Sequence, residues 1–236
     1  MFTVQHHERL GSTNDEAKRL AAAGAAHGTV VHADEQAAGR GRFGRTWYSP
    51  PGNLYVSILL RLDLPPERGT ELSFLAALAV ADTVDALLPK QTRAALKWPN
   101  DVLVNGGKIA GILVEQIDDV RILGIGLNIL HEPNNAPYKT ATLVGAGGLA
   151  TVDGALDILL DRLAYRLDTW TEQGFYPIRV AWLTRAHPIG AKLRASLGGL
   201  TEEGLFAGLD DDGAMLLDTA DGRKRIVSAD VNGAGP

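Results

Sequence analysis

The chain has 236 residues, of which 28 are acidic and 23 basic, for a net charge of -5; 45% are hydrophobic and none is cysteine. That length fits one large domain, or a large domain with a small one, with ample apolar material for a core. The missing cysteines exclude disulfides and thiolate chemistry and fit a reducing compartment. No run of eighteen apolar residues is present, so no membrane-spanning helix is expected. The start lacks a basic end followed by an apolar run, so it does not read as a signal peptide. The six histidines are scattered and none falls in an HExxH pattern, so a structural zinc site is not expected.

In chain order, residues 2–9 predict a first strand, and 11–16 a turn into an alanine-rich helix over 16–23 that stops at Gly24. Ser12 with Asp15, or Thr13 with Glu16, has the spacing of a helix cap. The same helix start also suits a polar ligand, because its first N–H groups lack partners. Residues 29–33 predict a strand and 54–60 a stronger, central one. Residues 63–69 form a loop, and Thr70 is placed to cap a helix over 71–88 that Pro89 ends. A short strand at 94–97 precedes a hairpin, 102–104 with 107–115, turned at Asn105-Gly106. A further strand covers 122–129, completing an antiparallel meander. Polar and glycine-rich loops follow, then helices over 152–170 and 176–185 and a boundary near 187–190. Beyond it, strands over 191–197, 204–209, 214–217 and 225–229 predict a small β-barrel leaning on the first domain.

One window stands out from this acidic background. Residues 34–48 contain Gly39, Gly41 and Gly44 with Arg40, Arg42 and Arg45, followed by Thr46 and Trp47. Glycines free the backbone and arginines offer forked donors, a combination suited to phosphate or carboxylate. The Gly-Lys-Ser/Thr ending of a P-loop is absent. Further along, Lys97-Trp98-Pro99-Asn100-Asp101 closes a strand, and Lys108 opens the next one across the hairpin. Taken singly, Lys108 also reads as protection of a sheet edge and Asp101 as a local turn-forming carboxylate. Together with the arginine loop they suit a phosphate site, in which the carboxylate of Asp101 is a candidate Mg²⁺ ligand. Gln36 and Thr13 are placed to orient an uncharged polar group. Trp47 and Trp98 offer flat apolar walls. Gly111, Gly124 and Gly126 leave the sheet surface open to close approach. No side-chain nucleophile is evident. Preorganised positive charge suits the joining of two anions, as in nucleotide activation of a carboxylate.

These segments resemble the biotin–protein ligases. The likeness rests on Ser12-Thr13-Asn14, the run from Asp34 to Trp47, Lys97-Trp98-Pro99-Asn100-Asp101, residues 108–115 (KIAGILVE), Gly124-Ile125-Gly126-Leu127-Asn128 and Thr142-Leu143. The resemblance implies an α+β fold: a mixed, largely antiparallel sheet with helices packed on it, of the class II aminoacyl-tRNA synthetase and biotin ligase kind. A catalytic domain over 1–187 would be followed by a small SH3-like barrel over 188–236. It implies biotin, ATP and Mg²⁺ as reactants, a biotinyl-5'-adenylate intermediate, and transfer to one lysine of a biotin carboxyl carrier domain.

By the same resemblance Arg40 and Arg42 contact the adenylate or pyrophosphate, and Lys108 bridges the biotin carboxylate and the α-phosphate. Ser12, Thr13 and Gln36 bind the ureido ring and its surroundings, and Asn14 is counted among the binding residues. Gly39, Gly41 and Arg45 belong to the covering loop, and Gly111, Gly124 and Gly126 shape the trough. Asn100, Asp101 and Asn128 line the nucleotide and metal side, Lys97 is a further binding residue, and Trp47 and Trp98 pack against ligand or loop. Some family members carry an N-terminal DNA-binding domain. This sequence reads as the catalytic-only class, with no nucleic-acid or membrane partner, cytoplasmic, and with monomer and homodimer both open. Lys192, Arg194 and the run 223–225 read either as reaching the ligand or carrier, or as solvated surface. The enzyme rival of related fold is a lipoate–protein ligase or octanoyltransferase. The non-enzyme rival is a module that binds biotin or nucleotide without turnover.

Overall fold

The computed structural model describes residues 2–233; Met1 and 234–236, the outer ends of the two expected domains, lie outside the described residues. Strand β1 (Thr3–Leu10) passes through Gly11 into helix α1 (Thr13–Ala22). The helix starts three residues earlier than its apolar pattern predicts. Ser12 takes the extended N-cap conformation but makes no capping bond through its side chain. Instead the first helical N–H, that of Thr13, donates to Gln36 Oε1 at 2.9 Å, so a partner distant in sequence satisfies it. The two expected caps are therefore not formed: Asp15 accepts from Arg40 and Glu16 from Arg19.

Strand β2 (Thr29–Gln36) runs three residues past its predicted end. Parallel pairing with β1 carries the register through Leu10 opposite Gln36. Strand β3 (Leu54–Arg61) is buried along nearly its whole length. A 3-10 turn over Pro66–Thr70 joins directly onto α2 (Glu71–Leu87). Thr70 thus has helical dihedrals rather than the extended form of a cap. Helix α2 is buried on nearly every side, because the sheet, α3 (Val152–Gln173) and α4 (Phe175–Leu183) surround it. Its one buried charge, Glu71, is satisfied by Arg68 at 2.9 Å and by the Trp170 indole N–H at 2.6 Å.

Strands β4 (Ala95–Lys97), β5 (Asp101–Val104), β6 (Gly107–Ile117) and β7 (Val120–Leu127) form the expected antiparallel meander. Its turns use left-handed residues: Asn105 and Gly106 at φ 50° and 74°, and Asp118 at φ 49°. The full sheet is seven-stranded, ordered β1-β2-β3-β7-β6-β5-β4, with only the β1–β2 pair parallel. Alternation along each strand separates its faces. Val31, Leu59 and Ile122 pack with Ala17 and Ala21 of α1, while Val30, Val56 and Ile58 belong to the main core with α2 and α3.

The C-terminal part is a five-stranded antiparallel sheet of β8 (Lys192–Leu197), β9 (Leu200–Leu209), β10 (Met215–Thr219), β11 (Gly222–Ile226) and β12 (Asp230–Gly233), ordered β11-β10-β9-β8-β12. The single strand predicted over 225–229 is in fact the end of one strand and the lead into another. Residues 227–229 break between them, and β11 and β12 stand at opposite ends of the sheet. This sheet has little core of its own and shares one with the first. Phe206, Met215, Leu217 and Val231 belong to the same buried cluster as Phe74, Phe175 and Trp182.

Candidate active site

A cleft of about 280 Å³ opens where α1, the arginine loop, the β5–β6 hairpin, β7 and the C-terminal sheet converge. Every site residue predicted from the sequence lines it except Gly39 and Asn128. The strand pattern explains the convergence. Asp101 pairs with Gly111 across the β5–β6 ladder, and Gly111 pairs with Gly126 on β7. Three strands therefore bring chemistry-bearing and bare positions onto one line.

At one end of the cleft, small polar groups are wired together. Gln36 Oε1 accepts from the backbone N–H and the hydroxyl of Thr13, at 2.9 and 3.1 Å, and Gln36 Nε2 donates to Ser49 Oγ at 3.0 Å. The buried Ser57 hydroxyl lies 2.7 Å from Thr13 Oγ1 and 2.5 Å from Asn14 Oδ1. Asn14 Nδ2 in turn donates to Glu115 at 2.6 Å, and Lys18 holds the other Glu115 oxygen at 2.6 Å. Burial alone would raise the Glu115 pKa, but the bonds from Lys18 and Asn14 outweigh it and hold the carboxyl below its ordinary value. The rotamers of Thr13, Asn14 and Gln36 are thus fixed, a preorganised wall for a small polar ring.

At the other end lies the charged floor. Lys108 Nζ is 2.6 Å from Asp101, and Lys97 Nζ is 3.5 Å from the same carboxylate. Lys108 also faces the rings of Trp47 and Tyr138 at 5.4 and 5.5 Å. Asn100 is locked by a bond from its Nδ2 to the Ile112 carbonyl at 2.7 Å. With two ammonium groups on it, Asp101 is a poor resident magnesium ligand, since such sites need oxygens free of competing cations.

The arginine loop closes over this floor and is tied on both sides. Arg40 makes a forked pair with Asp15 of α1 at 2.6 and 2.5 Å, which holds the Asp15 carboxyl below its usual range. Arg42 donates to Ser228 Oγ at 2.8 Å and to Asn100 Oδ1 at 3.3 Å, and Arg45 pairs with Asp230 at 2.8 Å. Burial pushes the Arg42 guanidinium pKa down, against Asp230 and Asp101, which pull it up. The loop turns through Phe43 and Gly44 at φ 57° and 70°, with the Phe43 ring 56% exposed. Gly39 takes no part in the lining but lets the loop fold back, because a Cβ there would come within 2.5 Å of Ser49 Oγ and 2.7 Å of the Trp47 carbonyl.

The two tryptophans part company. Trp47 lies in the cleft against Gly126 and Gly111, where a Cβ would strike its indole. Trp98 lines the cleft only from within the core. It is 3% exposed, and its indole N–H donates to the Gly213 carbonyl, in the turn between β9 and β10, at 3.0 Å. The bare backbone at Gly124 is filled by Asn14, whose amide oxygen a Cβ would overlap. Asn128 is buried behind Lys108, donating to the Ala141 carbonyl at 3.2 Å and lining an adjoining hollow under Tyr138.

Sequence reasoning missed Ser57, Tyr138, Ser228 and Asp230. Ser57 sits in the middle of an apolar strand, where a lone hydroxyl was the available signal. The C-terminal residues that reach the cleft are Ala229 to Asn232, not the basic positions. Arg194 pairs with Glu203, Arg223 with Asp218 and Arg225 with Asp210 and Asp212, all within the small sheet. None of these arginines, nor Lys192 or Lys224, lines the cleft.

Residues 7–130 match the model of the biotin/lipoate A/B protein ligase family. The chain belongs to that family. Residues 193–232 match the biotin protein ligase C-terminal domain. The chain is 41% identical to the biotin–[acetyl-CoA-carboxylase] ligase of Paracoccus denitrificans, over 94% of this chain and 97% of the relative. It is 39% identical to the bifunctional ligase/repressor BirA of Bacillus subtilis, over 96% of this chain and 72% of that protein. In structure it resembles the biotin protein ligase of Aquifex aeolicus in complex with biotin and ATP, with a TM-score of 0.87, 27% identity and coverage of 99% and 100% of the two chains. The mixed sheet with its helices and the C-terminal antiparallel sheet follow that family's fold.

Proposed function

We infer that the protein is a biotin–protein ligase, which activates biotin with ATP and passes it to a carrier domain of a biotin-dependent carboxylase. In the first step a biotin carboxylate oxygen bonds to the α-phosphorus and pyrophosphate leaves. In the second, the carrier lysine amine bonds to the acyl carbon and AMP leaves. The observation that carries this reading is the Lys108–Asp101 pair at the junction of a fixed polar wall and a triple-arginine cover, in a chain of this family.

Residue roles follow from the geometry. Lys108, held by Asp101, is placed to sit between carboxylate and α-phosphate and offset the repulsion of two anions. Lys97 adds charge beside it. The wall of Ser12, Thr13, Asn14 and Gln36 receives the ureido end, and Trp47 covers the trough along Gly111 and Gly126. Arg40, Arg42 and Arg45, with Gly39 and Gly41 as hinges, hold the phosphates and exclude water from the mixed anhydride. Asn100 and Asn128 keep the nucleotide side in shape. Mg²⁺ enters on the ATP phosphates as part of the substrate, with Asp101 acting first through its lysines.

The chain divides on this reading into a catalytic part, 1–187, and a small part, 188–236, that contributes residues 229–232 to the cleft and Ser228 to the Arg42 side chain. A cytoplasmic location fits a protein that consumes ATP, and no helix among the described residues is long and apolar enough to cross a membrane. Three arginines, Arg40, Arg42 and Arg45, are gathered at the cleft of a chain whose net charge is -5, which favours a local anion site over a nucleic-acid surface. Pyrophosphate release from purified protein with MgATP and either biotin or lipoate tests the assignment, followed by addition of a carrier domain. Release with biotin and subsequent carrier labelling are expected. Release with lipoate alone, or tight biotin binding without turnover, would replace the assignment.

A further inference from the structure

Away from the cleft, the parallel register of β1 and β2 sets His6 directly opposite His32, with their ring centroids 5.3 Å apart. Asp34 lies two residues beyond His32 and so on the same sheet face. Its carboxylate is 2.9 Å from His6 Nε2. One donor atom from each of the three residues falls within 4.8 Å of the others. His32 is 2% exposed, and its Nε2 is buried without a hydrogen-bond partner. His6 and Asp34 stand at the surface with side chains about half exposed. Asp153, in the first turn of α3, adds negative charge felt by both imidazoles. None of the three residues lines the catalytic cleft.

A plain histidine–carboxylate pair accounts for His6 and Asp34 but leaves the buried His32 nitrogen unsatisfied. We propose that His6, His32 and Asp34 bind a divalent transition-metal ion, with Zn²⁺ as the fitting case. Two imidazoles and one carboxylate suit zinc, nickel or copper, whereas magnesium and calcium prefer oxygen throughout. Tetrahedral zinc with bonds of about 2.0–2.2 Å sets its donors roughly 3.3–3.6 Å apart, so the His6–Asp34 pair opens from 2.9 Å while the wider separations close, an adjustment that the exposed His6 and Asp34 side chains can make by rotation. The fourth position is open to water. The ion would clip β1, an edge strand, to β2, the strand that ends in Gln36 and feeds the arginine loop. It is therefore a structural clip beside the catalytic unit and takes no part in the reaction.

The test uses untagged full-length chain, freed of metal with chelator and titrated with Zn²⁺ by calorimetry, with Co²⁺ as a spectroscopic probe. One ion per chain is expected, together with visible Co²⁺ bands of low-symmetry coordination and a rise in Tm at saturating Zn²⁺. His6→Gln and Asp34→Asn should each weaken Zn²⁺ binding at least about ten-fold, the scale of a lost metal ligand or its supporting partner. Both variants should keep wild-type pyrophosphate release with biotin and MgATP in the absence of zinc, which also reports that they fold. Absence of stoichiometric binding by the wild type, or wild-type affinity in both variants, would overturn the site and leave the ligase assignment untouched.

Discussion

The arginine loop over 37–48 and the hairpin over 101–117 face each other across the cleft and are held in place by opposite means. The hairpin is a backbone ladder continuous with β7, and its inward residues Val102, Ile109, Ala110 and Ile112 lie in the main core. The loop contributes no residue to that core. Beyond the backbone bonds of Ala37 and Ala38 to Leu10 and Gly11 at its start and the Trp47 ring laid in the cleft, its ties are the Arg40–Asp15 and Arg45–Asp230 pairs at the surface and the Arg42 bonds to Ser228 and Asn100. Exposed pairs contribute little, up to about 1 kcal/mol each, whereas opening the hairpin would expose a buried apolar layer. The cover is thus cheap to lift and the floor is not. An enzyme that must admit two substrates, exclude water and then present an acyl group to a protein needs that asymmetry.

The largest expected effect comes from the floor. Lys108→Ala should lower pyrophosphate release by on the order of 10²–10³, the cost of removing one preorganised charge from a reacting centre. Its melting temperature should change little, because the side chain serves no core. Near-normal release would remove Lys108 from the chemistry. The cover should behave differently: Arg42→Gly should still form adenylate but let it escape. Labelling of bystander lysines in an added protein should rise roughly ten-fold, the scale of one lost charge-assisted bond. Labelling at the wild-type level would mean that the loop does not retain the intermediate.

Packing beneath the polar wall sharpens the contrast. Gly124→Ala puts a methyl group against the Asn14 amide in a place with no slack. A loss of about 1–3 kcal/mol is expected from overpacking, read as a lower denaturant midpoint. An unchanged midpoint would show that α1 yields as readily as the loop. The smallest effect concerns pH. Glu115 titrates below its ordinary value in the folded chain, so its ionised form stabilises the fold above about pH 4.5. That contribution is lost as pH falls through the lowered folded pKa. Glu115→Gln should therefore be less stable at pH 7 and show a shallower loss of stability below pH 4.5. Parallel acid limbs in urea titrations would contradict this.

The hairpin was legible because its signals are local: Asn105-Gly106 between apolar runs fixes turn, register and the position of Lys108 against Asp101. The arginine loop was legible from composition, as glycine and arginine rarely concentrate so far from a chain's average. Capping at α1 was misread because the partner of its first N–H is Gln36, which only the sheet brings near. Trp98 and Trp47 look alike in sequence, each beside a polar motif, yet one fills the core and the other the cleft.

Most strand and helix positions and the family were legible in the chain's own residues, since each rests on neighbours within a few turns or on a run of matched residues. Tertiary structure alone decided which groups meet. Residues 229–232 enter the cleft from the far end of the chain, Ser57 joins Thr13 to Asn14, and His6 stands beside His32 across a parallel register. Those meetings depend on strand order and packing, and no local periodicity records the distance between residues that the chain must fold to bring together.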